Sequence, residues 1–179
     1  FHQQTGFGYR HFVDSPEIGL LPIFIFNDIG PCDGGTLLSP GSHTKVAELL
    51  WGAESGGLDG ARLSRLAREG LDLHSAVEVN GSAGDVMLAH PFLVHARSKN
   101  LGKCGVGSVR FMCHPAVPLK ERMCVQRADN AKDLSPVEAA IADARPTGIG
   151  GATGGLVEET EEEIPMSTMG FQGIKSQKK

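Results

Sequence analysis

The stretch HPFLVHARSKN, residues 90–100, followed by SVRFMCH, residues 108–114, decides how this chain is interpreted. His95 ends a run of apolar residues, and Arg110 lies in a segment that reads as a β-strand. Imidazole is a common ligand of iron, and a guanidinium binds carboxylates through paired hydrogen bonds. The two stretches therefore supply one candidate metal ligand and one candidate carboxylate-binding group, each next to or within a predicted strand.

The direction of the Arg110 side chain follows from alternation along its strand. One face carries Arg110, Met112 and His114, and the other carries Val109, Phe111 and Cys113. Because an unpaired buried charge is costly, an arginine between two largely apolar neighbours predicts an inward guanidinium paired with an anion. A surface arginine and a hydrogen-bonded core histidine are the ordinary alternatives for Arg110 and His95.

Length and charge limit the classes of protein that this chain can represent. Its 179 residues predict a single domain with a substantial core. A net charge of −4 argues against a nucleic-acid partner. No apolar run reaches the roughly 18 residues that span a bilayer, so we expect no membrane span. A small-molecule substrate is the expected partner, and the oligomeric state stays open.

The cysteines and the N-terminus indicate the compartment. The four cysteines have no CxxC spacing, and we interpret them as reduced, mostly core thiols of a cytoplasmic protein: Cys32, Cys104, Cys113 and Cys124. No signal peptide is visible. Since the chain begins with Phe1 and not Met, we expect a processed chain or a fragment that lacks its N-terminal part.

The pattern of elements is mainly β. Apolar runs between Gly- and Pro-rich turns predict strands at 20–29, 36–38, 76–79, 85–89 and 109–114, and helical periodicity predicts helices at 44–51 and 61–68. Pro22 lacks an N–H and should lie near a strand start or on an edge. Many short strands favour a sandwich or barrel, and a double-stranded β-helix (a cupin-like jelly roll) with a few flanking short helices fits.

The C-terminal third contains a helix start and then a change of composition. Ser135-Pro136-Val137-Glu138 combines an N-cap serine, a proline at the first helical position and a glutamate that completes a capping box. Pro146 should end that helix. Residues 147–179 are rich in Gly and Glu and cannot form a core. We predict a folded domain over 1–146 and a disordered tail over 147–179.

The order of several motifs resembles that of the phytanoyl-CoA dioxygenase (PhyH) family. The matching stretches are FHQQ, HFVDSPE, LLPIFIFNDI, GGTLLSPGSH, GDVMLAHPFLVHARSKN, VRFMCHP and DLSPVEAAI, which extend from residue 1 to about residue 145. The resemblance implies the fold of a double-stranded β-helix and a dependence of the activity on Fe(II) and 2-oxoglutarate. It also implies a dioxygenase that couples oxidative decarboxylation of 2-oxoglutarate to hydroxylation of a small organic or lipid-like substrate.

The resemblance assigns roles to individual residues. His2 and His95 match the two metal histidines, and Gln4 stands where the family has its metal aspartate. Arg110 matches the arginine that binds the C5 carboxylate of 2-oxoglutarate. Together His2, His95 and Arg110 form the implied catalytic set. Gln3 and Phe26 fall at positions that often line the cosubstrate pocket.

The glutamine at position 4 leaves a second interpretation open. A neutral amide oxygen is a weak ligand for Fe(II), so the chain is alternatively a catalytically inactive family member that acts as a binding domain. Asp14, which we interpret as a turn cap, is a less favoured replacement carboxylate. A different cupin-like enzyme with a site of His2, His90 and His95 is a third alternative, although His90 is better explained as a structural residue that bonds loop backbone.

Overall fold

The computed structural model describes residues 10–102, 108–125 and 134–147. In these ranges the strands are β1 Arg10–His11, β2 Leu21–Ile25, β3 Thr36–Leu38, β4 Leu58–Asp59, β5 Val77–Glu78, β6 Val86–Ala89, β7 His95–Arg97 and β8 Met112–Cys113. The α-helices are α1 Ser42–Gly52, α2 Gly60–Arg68 and α3 Pro136–Asp143. All strand pairs are antiparallel.

β2 is the central strand of a three-stranded sheet in the order β6-β2-β8. All residues of β2 are buried except Phe24, which is partly buried, whereas Phe26, directly after the strand, is 60 % exposed. Pro22 is the second residue of the strand and pairs with Leu88 of β6. The proline therefore lies near the strand start, as predicted.

β3 is the central strand of a second sheet, in the order β5-β3-β7. Leu37 pairs with Glu78 of β5 on one side, and Thr36 and Leu38 pair with Arg97 and His95 of β7 on the other. This register brings the stretch GGTLLSPGSH next to HPFLVHARSKN.

A buried apolar cluster joins the two three-stranded sheets. Its members come from strands of both sheets and the loops beside them: Ile23, Ile25, Ile29, Leu38, Val79, Met87 and Met112. Both sheets therefore contribute side chains to one shared core cluster. The described residues thus form a β-rich fold with three short helices, in agreement with the mainly β prediction.

The helices surround a second apolar cluster. Val46 and Leu50 of α1, Leu63 and Ala67 of α2, and Ile141 of α3 are all buried in it. The helical period over 61–68 predicts that Leu63, Leu66 and Ala67 share one apolar face, and all three pack in this cluster, so the prediction is confirmed. Leu58 of β4 belongs to the same cluster, and β4 pairs with β1 in a small two-stranded sheet.

α3 begins as its sequence predicts. The Ser135 hydroxyl accepts a hydrogen bond from the backbone N–H of Glu138, and the Glu138 carboxylate accepts one from the backbone N–H of Ser135. Ala144 is the C-cap residue, two positions before Pro146. The predicted tail, apart from Thr147, lies outside the described residues.

The described cysteines lie on the surface. Cys32, Cys113 and Cys124 are all exposed, so the prediction that the cysteines lie mostly in the core was wrong for these three. Cys113 is opposite Phe24 in the register of β8 and β2, on the face that points away from buried Ile23 and Ile25. Cys104 lies outside the described residues.

The described helices are short. The longest, α1, has 11 residues, and none of those in the described ranges combines the length and apolar character needed to cross a bilayer.

Candidate metal and cosubstrate site

The position of His95 at the start of β7 is fixed by pairing with β3 and by two serines that contact the residue before it. Its backbone pairs with Leu38 of β3. The preceding residue, Val94, donates its N–H to the Ser42 hydroxyl at 2.8 Å, and its carbonyl accepts from Ser39 at 3.0 Å. The serines of GGTLLSPGSH therefore fix the backbone directly before His95.

The imidazole of His95 has a defined tautomer. Its Nδ1 lies 3.0 Å from the carbonyl oxygen of Leu93. A carbonyl only accepts hydrogen bonds, so Nδ1 carries the proton and the neutral ring has its lone pair on Nε2. Histidines that bind metals commonly donate their other ring N–H to a backbone carbonyl in this way. The local structure thus prepares Nε2 as the donor atom for a metal.

Arg110 has the orientation that alternation predicts. Val109 and Phe111 are 70 % and 61 % exposed, whereas Arg110 is half-buried. The Arg110 Nη1 donates to the thioether sulfur of Met112 at 3.1 Å, so the two side chains lie on one face of the strand. A thioether is a weak, uncharged acceptor, and no described carboxylate pairs with the guanidinium.

His95 and Arg110 line one pocket. Its volume is about 640 Å³, and its lining residues come from β3, β7, β8 and the segments beside them: Thr36, His95, Ala96, Arg97, Arg110, Met112, Cys113 and His114. β7 belongs to the sheet of β3, and Arg110 lies two residues before β8 of the other sheet, so the pocket forms where segments of the two sheets meet.

His114 is a pocket residue to which the sequence assigned no role. Its ring lies 5.9 Å from that of His95, measured between centroids, and its Nε2 is 3.1 Å from the Thr36 hydroxyl oxygen. The sequence did indicate this position, because the alternation that places Arg110 on one face of the predicted strand also places His114 on that face. No metal chemistry had been assigned to that position.

Arg97 was also missed. It ends β7 two residues after His95, and side chains two apart on a strand point to the same side. The pocket therefore has two guanidinium groups, those of Arg97 and Arg110, and no carboxylate among the described residues that line it.

The remaining predicted site residues lie either outside the described part of the chain or outside this pocket. His2, Gln3 and Gln4 lie outside the described residues, so their predicted roles stay predictions. Phe26 lies in the other sheet, directly after β2, where its N–H donates to the Phe111 carbonyl at 2.9 Å. It is 60 % exposed and is not among the residues that line the pocket.

His90 bonds backbone, as its structural interpretation predicts. Its Nδ1 accepts from the N–H of Phe92 at 3.1 Å, and its Nε2 lies 3.4 Å from the carbonyl of Val137. Burial, together with the neighbouring His43 ring, lowers the pKa of His90 to about 4. Both ring nitrogens are thus occupied by backbone groups, which argues against the alternative site of His2, His90 and His95.

Asp14 lies in a turn but does not cap it. The hydroxyl of Ser15 accepts from the N–H of Phe12, and the Asp14 carboxylate instead forms an ion pair with Arg122 at 2.7 Å. Asp14 lines a second pocket, together with Trp51, and not the pocket of His95. The described contacts therefore give no support to Asp14 as a replacement metal ligand.

Glu78 of β5 fastens the strands that form the pocket wall. Its carboxylate accepts from the Ser98 hydroxyl at 2.6 Å and from the backbone N–H groups of Cys32 and Gly35 at 2.8 Å each. Cys32 has a φ of 66°, an unfavourable conformation for a residue with a side chain. Glu78 thus connects a strained turn before β3 to Ser98, the residue that follows β7.

Replacing Glu78 with glutamine is expected to lower the free energy of unfolding by about 1 kcal/mol, a modest loss because the carboxylate is partly solvated. Burial raises the pKa of Glu78, but the hydrogen bonds from Ser98 and from the backbone of Cys32, Gly35 and Gly34 outweigh it, so the pKa is lowered. The contribution is therefore complete above the ordinary glutamate pKa and disappears as the pH falls through the lowered value. Urea unfolding as a function of pH measures it.

Glu48 provides the matched control for this substitution. It is exposed on α1, and Glu48→Gln should leave stability unchanged at every pH. If Glu78→Gln and Glu48→Gln unfold at the same urea concentration at neutral pH, the carboxylate of Glu78 does not hold the strands together.

The metal site is not complete within the described part of the chain. No group of three or more His, Cys, Asp or Glu side chains that could hold a metal ion occurs there. Two of the three residues that the resemblance assigns to the metal, His2 and Gln4, are outside that part. The described structure contributes one candidate ligand, His95.

Comparison with known families decides the classification. The family model for phytanoyl-CoA dioxygenase (PhyH) matches residues 1–105, more than half of the chain. The chain belongs to the phytanoyl-CoA dioxygenase (PhyH) family. Members of this family are generally dependent on Fe(II) and 2-oxoglutarate and belong to one oxygenase superfamily. The matched range includes His2, Gln4 and His95 but ends before Arg110. No curated protein and no solved structure matches the chain.

The residues present are compatible with the groups that this PhyH membership implies. The contact of His95 Nδ1 with the Leu93 carbonyl fits a ring that binds a metal through Nε2, and within the described ranges the Arg110 guanidinium donates to a neutral thioether. Both residues line the same pocket. A metal ligand and a carboxylate-binding cation are the two functions that Fe(II) and 2-oxoglutarate require from this half of the site.

Proposed function

We propose that the chain is an Fe(II)- and 2-oxoglutarate-dependent dioxygenase that hydroxylates a small organic or lipid-like substrate, built on a double-stranded β-helix. The observation that carries this proposal is that His95 and Arg110 line one pocket of about 640 Å³. His95 begins β7 of one sheet, and Arg110 lies two residues before β8 of the other sheet. Membership of the PhyH family supports the reaction class.

In this proposal the metal is bound by His95 Nε2 and by His2, with the Gln4 amide oxygen at the third position. Arg110 binds the C5 carboxylate of 2-oxoglutarate. When bound, the iron and cosubstrate supply the oxidising chemistry that amino-acid side chains lack. Leu93 keeps the His95 ring in the tautomer that presents Nε2, and Met112 packs against the Arg110 side chain and orients it.

The test is the visible absorption of the chain with Fe(II) and 2-oxoglutarate under anaerobic conditions. Chelation of the iron by 2-oxoglutarate should give a weak charge-transfer band. The band should be absent when succinate replaces 2-oxoglutarate, because succinate lacks the keto oxygen. A folded chain that gives no band contradicts the proposal, and circular dichroism of the same sample establishes whether the chain is folded.

The glutamine at position 4 favours a second candidate function, a binding domain without catalysis. Replacing Gln4 with aspartate adds a charged ligand that compensates the charge of the metal, so it should strengthen Fe(II) binding. If the native chain binds no iron and Gln4→Asp binds it, the native chain is a non-catalytic member. If both bind iron and give the band, the dioxygenase is supported. Gln4→Asn keeps a neutral amide and serves as the control.

A further inference from the structure

We propose that Arg97 binds an oxyanion group of the substrate, so that the substrate is a carboxylate or a phosphate ester and not a neutral molecule. This inference rests on the proposed function, because it assigns the other pocket guanidinium, that of Arg110, to 2-oxoglutarate. The shared chemistry is a negatively charged group with several oxygen acceptors, which a planar guanidinium binds in two parallel hydrogen bonds.

The position of Arg97 makes it a part of the pocket wall. It is the last residue of β7 and pairs with Thr36, which also lines the pocket. Because His95 and Arg97 are two apart on one strand, their side chains leave the sheet on the same side. Arg97 is more exposed than half-buried His95, so it lies nearer to solvent. A ligand that entered the pocket from solvent would contact Arg97 before it reached the more deeply buried His95.

The charge of the pocket lacks compensation. Within the described ranges the Arg97 side chain has no hydrogen bond or ion pair, and the Arg110 side chain donates to the thioether of Met112. No described carboxylate lines the pocket, although the chain as a whole has a net charge of −4. Two like charges that share one pocket repel each other, and bound anions relieve that repulsion.

The pocket is large enough for two ligands that each supply an anion. Its volume of about 640 Å³ lies within the roughly 300–1,000 Å³ of small-molecule sites. One oxyanion, the C5 carboxylate of 2-oxoglutarate, is assigned to Arg110 by the proposed function. Arg97 then remains for a second oxyanion, and the second ligand of such an enzyme is its substrate.

The experiment compares three probes with the same chain length: octanoate, octyl phosphate and 1-octanol. Calorimetry measures their binding to the full chain, with and without anaerobic Fe(II) and 2-oxoglutarate. We expect at least one anionic probe to bind about tenfold more tightly than octanol, as a charge-assisted hydrogen bond implies. Which of the two anions binds distinguishes a carboxylate from a phosphate substrate.

The variant Arg97→Gln should remove the preference for the anionic probe and leave the Kd for 2-oxoglutarate unchanged. Arg65→Gln, at an exposed position on α2, is the matched control and should retain the preference. The inference is overturned if the native chain prefers no anion to octanol, or if the preference persists in Arg97→Gln. It is equally overturned if Arg97→Gln weakens 2-oxoglutarate binding, because Arg97 then belongs to the cosubstrate site.

Failure of the proposed function has a different signature. It appears as an absence of 2-oxoglutarate binding to the native chain, while the comparison of probes without iron and cosubstrate still tests Arg97. An anion preference that depends on Arg97 in a chain without 2-oxoglutarate binding would support the oxyanion site and reject the dioxygenase.

Discussion

Replacing Arg110 with glutamine is expected to weaken 2-oxoglutarate binding about 100-fold without unfolding the chain. Removing one partner of a buried, hydrogen-bonded charge pair typically costs about 2–5 kcal/mol, and 2.8 kcal/mol is about a factor of 100. The free energy of unfolding should change little, because the Arg110 side chain donates its described hydrogen bond to the neutral sulfur of Met112. Anaerobic calorimetry in the presence of Fe(II) measures the affinity.

Two further variants separate charge from geometry. Arg110→Lys keeps the positive charge but loses the planar pair of donors, so it should bind 2-oxoglutarate more weakly than the native chain and more tightly than Arg110→Gln. Arg97→Gln removes the other guanidinium of the same pocket and should leave the affinity unaltered. Equal losses in Arg97→Gln and Arg110→Gln would show that general positive charge, and not Arg110, holds the cosubstrate.

The local parts of the fold were predictable because short-range patterns determine them. The capping box of Ser135 and Glu138 and the apolar face of α2 each depend on residues within a few positions of one another. The strand at Thr36–Leu38 was also predicted with its observed bounds, since turn residues flank it on both sides.

The ends of longer strands depended on contacts that no local pattern reveals. The predicted strand over 109–114 is reduced to β8, Met112–Cys113. The side-chain amide of Asn27 donates to the Val109 carbonyl and accepts from the Phe111 N–H. The side chain of Asn27, which is distant in sequence from Val109 and Phe111, thus takes the place of a backbone partner. Asn27 lies two residues after the end of β2 at Ile25.

The candidate site was predictable only where a pattern within one segment determines it. Alternation over 109–114 placed Arg110, Met112 and His114 on one side, and all three line the pocket, although the predicted anionic partner of Arg110 is not among the described residues. Arg97 joins the pocket only through the pairing of β3 with β7. A sequence without an alignment contains no direct signal of such contacts.

Replacing His95 with alanine is expected to weaken Fe(II) binding by at least about 100-fold. Even the loss of a partner that orients a metal ligand costs about 10–100-fold in metal affinity, so the loss of the ligand itself should cost more. The change also removes the hydrogen bond to Leu93, worth about 1 kcal/mol of stability. Anaerobic titration with Fe(II), followed by calorimetry, measures the affinity, and thermal unfolding measures the stability.

His95→Asn separates these two effects. The asparagine amide N–H₂ lies near the position of Nδ1 and can still donate to the Leu93 carbonyl, but no atom replaces Nε2. We therefore expect His95→Asn to unfold close to the native temperature and to bind Fe(II) as weakly as His95→Ala. His74→Ala, at an exposed histidine of the Leu73–Ser75 turn, should change neither property. Native-like iron binding by folded His95→Asn would exclude His95 Nε2 as a ligand, and the metal would then have to be held without β7.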